Sequence, residues 1–311
     1  MASLIARFAN NVFWLGRYLE RAENLARIID INESFARDRD EGPNWERFLN
    51  LYDDTDRFLE AYEEIDADTV PYFYMLDRDN SGSVVSSVFM ARENARSVRH
   101  LISTEMWVQV NMFRHRLAAL NRRDIRINNI SRTCEDVKTS CQAFEGIAEG
   151  TFFRNEAWCF YQLGKYIERA DQTTRVLQMG FDQLKSEGSE SLNPVYQDVL
   201  LRSVAGYHAF CNQNPSSASV NDVVKFLLYD QQFPRAVALC VDYVSRRLAD
   251  LDIVYEDRRG QAIATERRAL AFLLETGLGN QITSRRLHRF LDDLQIALGE
   301  VSLAISRSYF N

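Results

Sequence analysis

Leu15-Gly16-Arg17-Tyr18-Leu19-Glu20-Arg21-Ala22-Glu23 returns 148 residues later as Leu163-Gly164-Lys165-Tyr166-Ile167-Glu168-Arg169-Ala170-Asp171. Six of the nine positions are identical, the other three are conservative, and the match extends to Arg27 and Arg175. Around the first copy, Phe8, Val12, Leu15, Leu19, Ala22, Ala26 and Ile29 recur at spacings of three and four, which is the period of a helix burying one face. Val88, Ala91, Ala95, Val98 and Ile102 repeat the pattern. So do Leu287, Phe290, Leu291, Leu294, Ala297, Leu298, Val301 and Ile305. Alternating strand patterns are scarce. The chain therefore reads as all-α, a bundle of about ten helices at typical helix lengths.

A second echo gives the repeat its length. Phe73-Tyr74-Met75-Leu76-Asp77 leads through a short turn to Ser83-Val84, and Phe226-Leu227-Leu228-Tyr229-Asp230 leads through the same spacing to Ala236-Val237. Two echoes in the same order predict two related halves, 1–149 and 150–311, packed as a pseudo-symmetric pair within a single domain 1–311 that shares one core. Breaks between helices are expected at Asp38–Asn44, Arg78–Gly82, Ser186–Pro194, Asn212–Ser217 and Gly277–Asn280, where Gly, Pro, Asn and Asp cluster.

The 311 residues carry 37 Lys and Arg against 44 Asp and Glu, a net charge of −7, which argues against broad nucleic-acid binding. No stretch reads as a membrane span, and the first residues do not read as a signal peptide. Cys134, Cys141, Cys159, Cys211 and Cys240 are odd in number and never form a C-x-x-C pair, so neither a disulfide framework nor a zinc site is expected, and a reducing cytoplasm fits.

The repeated helix sets its charge in apolar surroundings, with Trp14, Tyr18 and Leu25 covering a second face. Arg17, Glu20, Asn24 and Arg27 form a polar stripe, matched by Lys165, Glu168, Gln172 and Arg175, while Arg21 and Arg169 point about 100° away. Gly16 and Gly164 each cost about 1 kcal/mol against Ala within a helix, so a close approach of another backbone is expected at both. Buried charges must be paired. Either each Glu bonds an Arg on a facing helix and fixes register, or Glu20, Arg21, Glu168 and Arg169 line a common polar cavity.

Ala91-Arg92-Glu93-Asn94-Ala95-Arg96 continues to Arg99-His100, and places Arg92, Arg96 and Arg99 on one face, with Glu93 and Asn94 beside it. Three guanidinium groups in a row are either a solvated surface or a fork for phosphate or carboxylate. The second half has no equivalent stripe. Downstream lie Glu105 and Trp107. Thr151 reads as an N-cap, which puts Arg154 in the first turn of the next helix, opposed by the helix dipole and available to a partner carboxylate. Trp107 and Trp158 read as core residues, and Arg235 lies in Phe233-Pro234-Arg235-Ala236-Val237.

The paired Glu-Arg motifs, the Ala-Arg-Glu-Asn-Ala-Arg run and the Phe-Pro-Arg-Ala-Val segment together resemble the bacterial alpha-E family over essentially the whole chain. One departure is Asn80-Ser81-Gly82-Ser83, where members more often carry Asn-Pro, and it bears on the rigidity of that turn. The resemblance implies an all-helical domain without assigned catalytic residues. It also implies genomic neighbours, a circularly permuted ATP-grasp protein and a transglutaminase-like peptidase, and so a peptide ligation or modification system with a possible peptide or amino-acid ligand.

Other chemistry has no signature here. There is no Glu-x-x-His, no His-Glu-x-x-His and no P-loop, so no metal, nucleotide or other cofactor is expected. His100, His115, His208 and His288 are isolated in sequence. Three readings remain: a non-catalytic helical component that binds an ATP-grasp ligase or its peptide; an enzyme acting on amides with a Glu base and an Arg clamp; and a purely structural adaptor. The first is favoured, with no nucleic acid and no membrane as partner.

Overall fold

The computed structural model describes residues 4–39, 45–126, 128–187, 194–214, 219–255, 259–278 and 282–310. Fourteen helices and no strand occur among them. The chain divides into two compact units, one of Met1–Arg17 with Arg154–Asn311 and the other of Tyr18–Phe153. Helix α1 (Ala6–Arg39) contributes residues to both.

The Tyr18–Phe153 unit continues with α2 (Trp45–Leu51), α3 (Thr55–Leu59), α4 (Thr69–Met75), α5 (Val84–Ser97), α6 (Thr104–Ala118) and α7 (Ile130–Thr151). The other unit holds α8 (Glu156–Glu187), α9 (Pro194–Ser203), α10 (Tyr207–Gln213), α11 (Val220–Tyr229), α12 (Val237–Tyr255), α13 (Arg259–Thr276) and α14 (Ser284–Tyr309). The count exceeds the ten expected because α2, α3, α4 and α10 have seven residues or fewer. Such short helices carry little periodicity to read.

The apolar stripes are the core. Every member of the α14 stripe is buried, as is every member of the α5 stripe and all of the α1 stripe except half-buried Phe8. Each fully buried Leu, Ile or Phe contributes about 1.5–3 kcal/mol, which offsets the entropy lost in ordering the chain. Of the second face of α1, Leu25 is buried, whereas Trp14 and Tyr18 are half-buried.

In the Tyr18–Phe153 unit, Phe48, Tyr52 and Tyr74 and then Phe58, Tyr62 and Phe73 form one aromatic cluster, joined where Phe73 meets Tyr74 at 5.0 Å. Two of its hydroxyls bond carboxylates: Tyr74 donates to Asp54 Oδ2 at 3.0 Å and Tyr62 to Asp77 Oδ2 at 2.6 Å. Buried Asn80 donates to the Phe73 carbonyl at 2.9 Å and accepts from Gly82 N and Arg57, both at 2.8 Å. The turn that lacks the Asn-Pro pair is thus fastened by a side chain instead. Ser83 and Ser103 then cap α5 and α6 by accepting from Ser86 N and Met106 N, each at 3.1 Å.

In the other unit α8 is the central rod, against which α12 and α14 pack. Tyr166 of α8 stacks on Tyr243 of α12 with ring centroids 4.3 Å apart. Phe13 of α1 and Phe160 of α8 both meet Phe310, at 5.4 and 5.7 Å. The second turn echo forms as well: Asp230 Oδ1 accepts from Gln232 N and Phe233 N, as Asp77 Oδ1 accepts from Asp79 N.

The break at Arg78–Gly82 separates α4 from α5. Residues 40–44, 188–193, 215–218 and 279–281, on which most of the other four expected breaks fall, lie outside the described residues. One local expectation is corrected. Thr151 ends α7 and is no cap; its hydroxyl donates to Ile147 O at 2.7 Å. Asn155 caps α8, its Oδ1 accepting from Ala157 N at 3.1 Å. Arg154 therefore precedes the helix, and Glu156 occupies the first turn, where the dipole favours an anion.

Candidate functional site

The reciprocal glycines come first, because they bring the motif's backbones together. A Cβ at Gly16 would overlap the Tyr161 carbonyl oxygen, and one at Gly164 would overlap the Phe13 carbonyl oxygen. Phe13 and Gly16 stand 148 residues before Tyr161 and Gly164, so each contact is the other with its partners exchanged. The helix-propensity cost of both glycines is the condition for α1 and α8 to touch here.

That approach sets the ion pair beside it. Arg17 Nε donates to Glu168 Oε2 at 2.8 Å, and Arg17 Nη1 donates to Ser302 Oγ at 3.1 Å. The Glu168 side chain is 1% exposed and that of Arg17 is 15%. The guanidinium also lies 5.0 Å from the Trp14 ring. Gln172 approaches the other Glu168 oxygen at 3.5 Å. A buried carboxylate bonded on both oxygens is fixed in place.

The local bonds of the two copies correspond. Asn24 donates to Glu20 at 3.2 Å, as Gln172 does to Glu168. Arg27 bonds Glu23 at 2.6 Å, as Arg175 bonds Asp171 at 2.8 Å. Glu20, Lys165 and Arg169 are all buried, and Arg21 is half-buried. Arg21 lies 6.0 Å from Tyr18, and Lys165 Nζ lies 4.9 Å from Tyr166. Arg169 packs over Tyr166 at 5.4 Å and reaches the Pro234 carbonyl at 3.5 Å. Thr173 donates to the carbonyl of buried Arg235 at 2.9 Å. The Glu-Arg helix and the Phe-Pro-Arg segment of the second half thus meet, although 62–65 residues separate them.

The Arg-rich helix behaves differently. Arg92 Nε donates to Asn111 Oδ1 at 3.0 Å, and Glu93 links Arg92 to Arg96. Arg92 and Arg99 lie 5.1 and 5.3 Å from the Trp107 ring. Trp107 is half-buried between these guanidinium groups and is not the core residue expected. Glu105 is exposed in the first turn of α6. Arg154 is exposed and stacks at 3.5 Å on Trp158, which is buried as expected.

Sequence reasoning missed a second ionic cluster. Lys138 of α7 bonds Asp30 of α1 and Glu135, both at 2.7 Å. Burial opposes the Lys138 charge, but those two hydrogen bonds raise its pKa above the ordinary lysine value. Burial, and then Asp30, push the nearby Cys134 thiol far above its usual range. Burial likewise pushes Cys159 up to about 11. Neither thiol is an activated nucleophile. None of the five cysteines forms a disulfide, and Cys211 alone is exposed. Among the described residues no group of three His, Cys, Asp or Glu is arranged to hold a metal ion, and no helix is long and apolar enough to cross a membrane.

An all-α chain with paired, buried Glu-Arg elements is the class that fold and site define. Residues 4–310 match the family model Alpha-E, described as a predicted alpha-helical domain with a conserved ER motif. The chain belongs to the Alpha-E family. It is also similar to uncharacterized proteins of Mycobacterium bovis and Mycobacterium tuberculosis, 26% identical over 270 residues. The match covers 79% of this chain and 30% of each relative, so the chain spans about a third of the length of these curated relatives. No solved structure matches it significantly.

Proposed function

We propose that this chain is the non-catalytic helical component of a peptide ligation or modification system, holding an ATP-grasp-type ligase, its peptide substrate, or both. The carrying observation is the engagement of the motif's own charge: Glu168, almost fully enclosed, is taken up by Arg17. A base of that kind would have to reach a substrate proton, and this one is committed to a guanidinium. The Glu-Arg elements, including Glu20, Arg21, Glu168 and Arg169, then serve as braces, and the Arg-rich helix α5 serves as the contact surface. The mycobacterial relatives support a domain that works beside another, since two thirds or more of their length lies outside the match. Five cysteines without a disulfide favour a reducing, cytoplasmic setting.

The same reading takes the two halves as pseudo-symmetric repeats. The helix succession supports it: each half begins with a helix of more than 30 residues, continues through three helices of ten or fewer, and ends with three of 14 or more. The exchanged glycine contacts support it too, because a surface that meets its own equivalent is the mark of two-fold pairing.

The test is co-purification with a circularly permuted ATP-grasp protein and with a transglutaminase-like peptidase, together with ATP turnover with and without this chain. Stoichiometric recovery, and turnover that depends on this chain, are expected. Glu168→Gln should lower thermal stability and complex yield together. A Glu168→Gln protein that keeps its fold and its partner but abolishes turnover would overturn the reading in favour of an enzyme.

A further inference from the structure

We infer that the seam between α5 and α6 is a docking surface for an acidic peptide segment, one that presents successive side-chain carboxylates. Phe89 of α5 meets Arg114 of α6, and Arg92 of α5 meets Trp107 and Asn111 of α6, so residue numbers rise along one helix as they fall along the other; Arg78 and Arg99, just outside the two ends of α5, lie over the same two rings. Arg78 and Arg114 lie 4.8 and 4.5 Å from the Phe89 ring, and Arg92 and Arg99 lie 5.1 and 5.3 Å from Trp107. Arg78 and Arg99 are exposed, and Arg114 is half-buried. Among the described residues the side chains of Arg78, Arg99 and Arg114 have neither a carboxylate nor a hydrogen-bond acceptor. Each is held by a ring alone.

Glu93 pairs with Arg92, but the charges of Arg78, Arg99 and Arg114 are not neutralised by a bonded carboxylate among the described residues. Two guanidinium groups on one ring repel each other, and a carboxylate between them removes that repulsion while using planar N–H pairs that are already oriented. Stacking restricts each arginine beforehand, so less side-chain entropy is lost on binding. The occupant is a peptide rather than a nucleic acid for two reasons. Single strands bind by stacking bases on open aromatic faces, and here guanidinium groups already lie against both rings. On the same two helices Met90, Val108 and Met112 are 46%, 46% and 53% exposed, which suits aliphatic side chains and not a phosphate backbone. A net charge of −7 also repels a long polyanion, whereas a short segment responds chiefly to charge within a Debye length of about 8–10 Å.

The inference rests on the reading of the chain as a partner-holding component. Its test uses octaglutamate with blocked termini, titrated into the whole chain while Trp fluorescence is followed, with oligothymidylate and inorganic phosphate as competing probes. Octaglutamate should bind, weaken with added salt, and lose at least about tenfold in affinity in Arg78→Gln/Arg114→Gln and in Arg99→Gln. Arg246→Gln, which removes an arginine paired with Asp242 on α12, should bind as the parent does. Binding unchanged in the seam variants, or tighter for oligothymidylate than for octaglutamate, would overturn the inference. If octaglutamate fails to bind while the ATP-grasp protein is still recovered, the seam assignment falls and the partner-holding reading stands. If the seam binds and no such partner is recovered, the reverse holds.

Discussion

Arginine does opposite work at α1–α8 and at α5–α6. At the first contact Arg17 lies against a ring and also bonds a carboxylate that is 1% exposed, so the charge is spent inside the fold. At the second, Arg78, Arg99 and Arg114 lie against rings and bond no carboxylate among the described residues, so the charge is kept. The same side chain over the same kind of ring braces the fold in one place and presents a surface in the other. What differs is whether a buried acid faces it.

The contrast can be broken by substitution, and the largest effect belongs to the brace. Glu168→Ala should destabilise by about 3–5 kcal/mol in urea unfolding, because it leaves the Arg17 charge without its carboxylate. Gly164→Ala should follow with a loss of about 3 kcal/mol, since the added methyl meets a backbone carbonyl that cannot swing aside. Gly299 is the control for that claim. It also lies within a helix, but a Cβ there would meet nothing within 4 Å. Gly299→Ala should therefore stabilise by about 0.5–1 kcal/mol, read as a rise in unfolding midpoint. The smallest effect is expected at the seam: Arg78→Gln and Arg99→Gln should each change stability by no more than about 0.5 kcal/mol. A loss there comparable to that of Glu168→Ala would show that the seam is a second brace.

Much of the fold was legible because helical periodicity is local. The stripes of α5 and α14 stand in the sequence residue by residue, and every member of both is buried. The close approach at Gly16 and Gly164 was legible too, since a glycine kept in an apolar helix implies something pressing on it. The cap of α8 is not legible, because Thr151 and Asn155 are both capping residues four positions apart and only the backbone path chooses between them. Of the candidate site, the Arg92–Arg99 stripe was visible as spacing, but Arg78 and Arg114 were not. They belong to it through Phe89, and a ring shared between a loop and two helices leaves no periodic trace. The Lys138–Asp30 pair was hidden for the same reason, with 108 residues between its members.

Cys211 is the one exposed thiol of five, and it lies on α10. The unaltered chain therefore carries a single natural attachment point for a maleimide dye. A label there changes no residue of α5 or α6, so partner and peptide capture can be followed on the unmutated protein, one molecule at a time if desired.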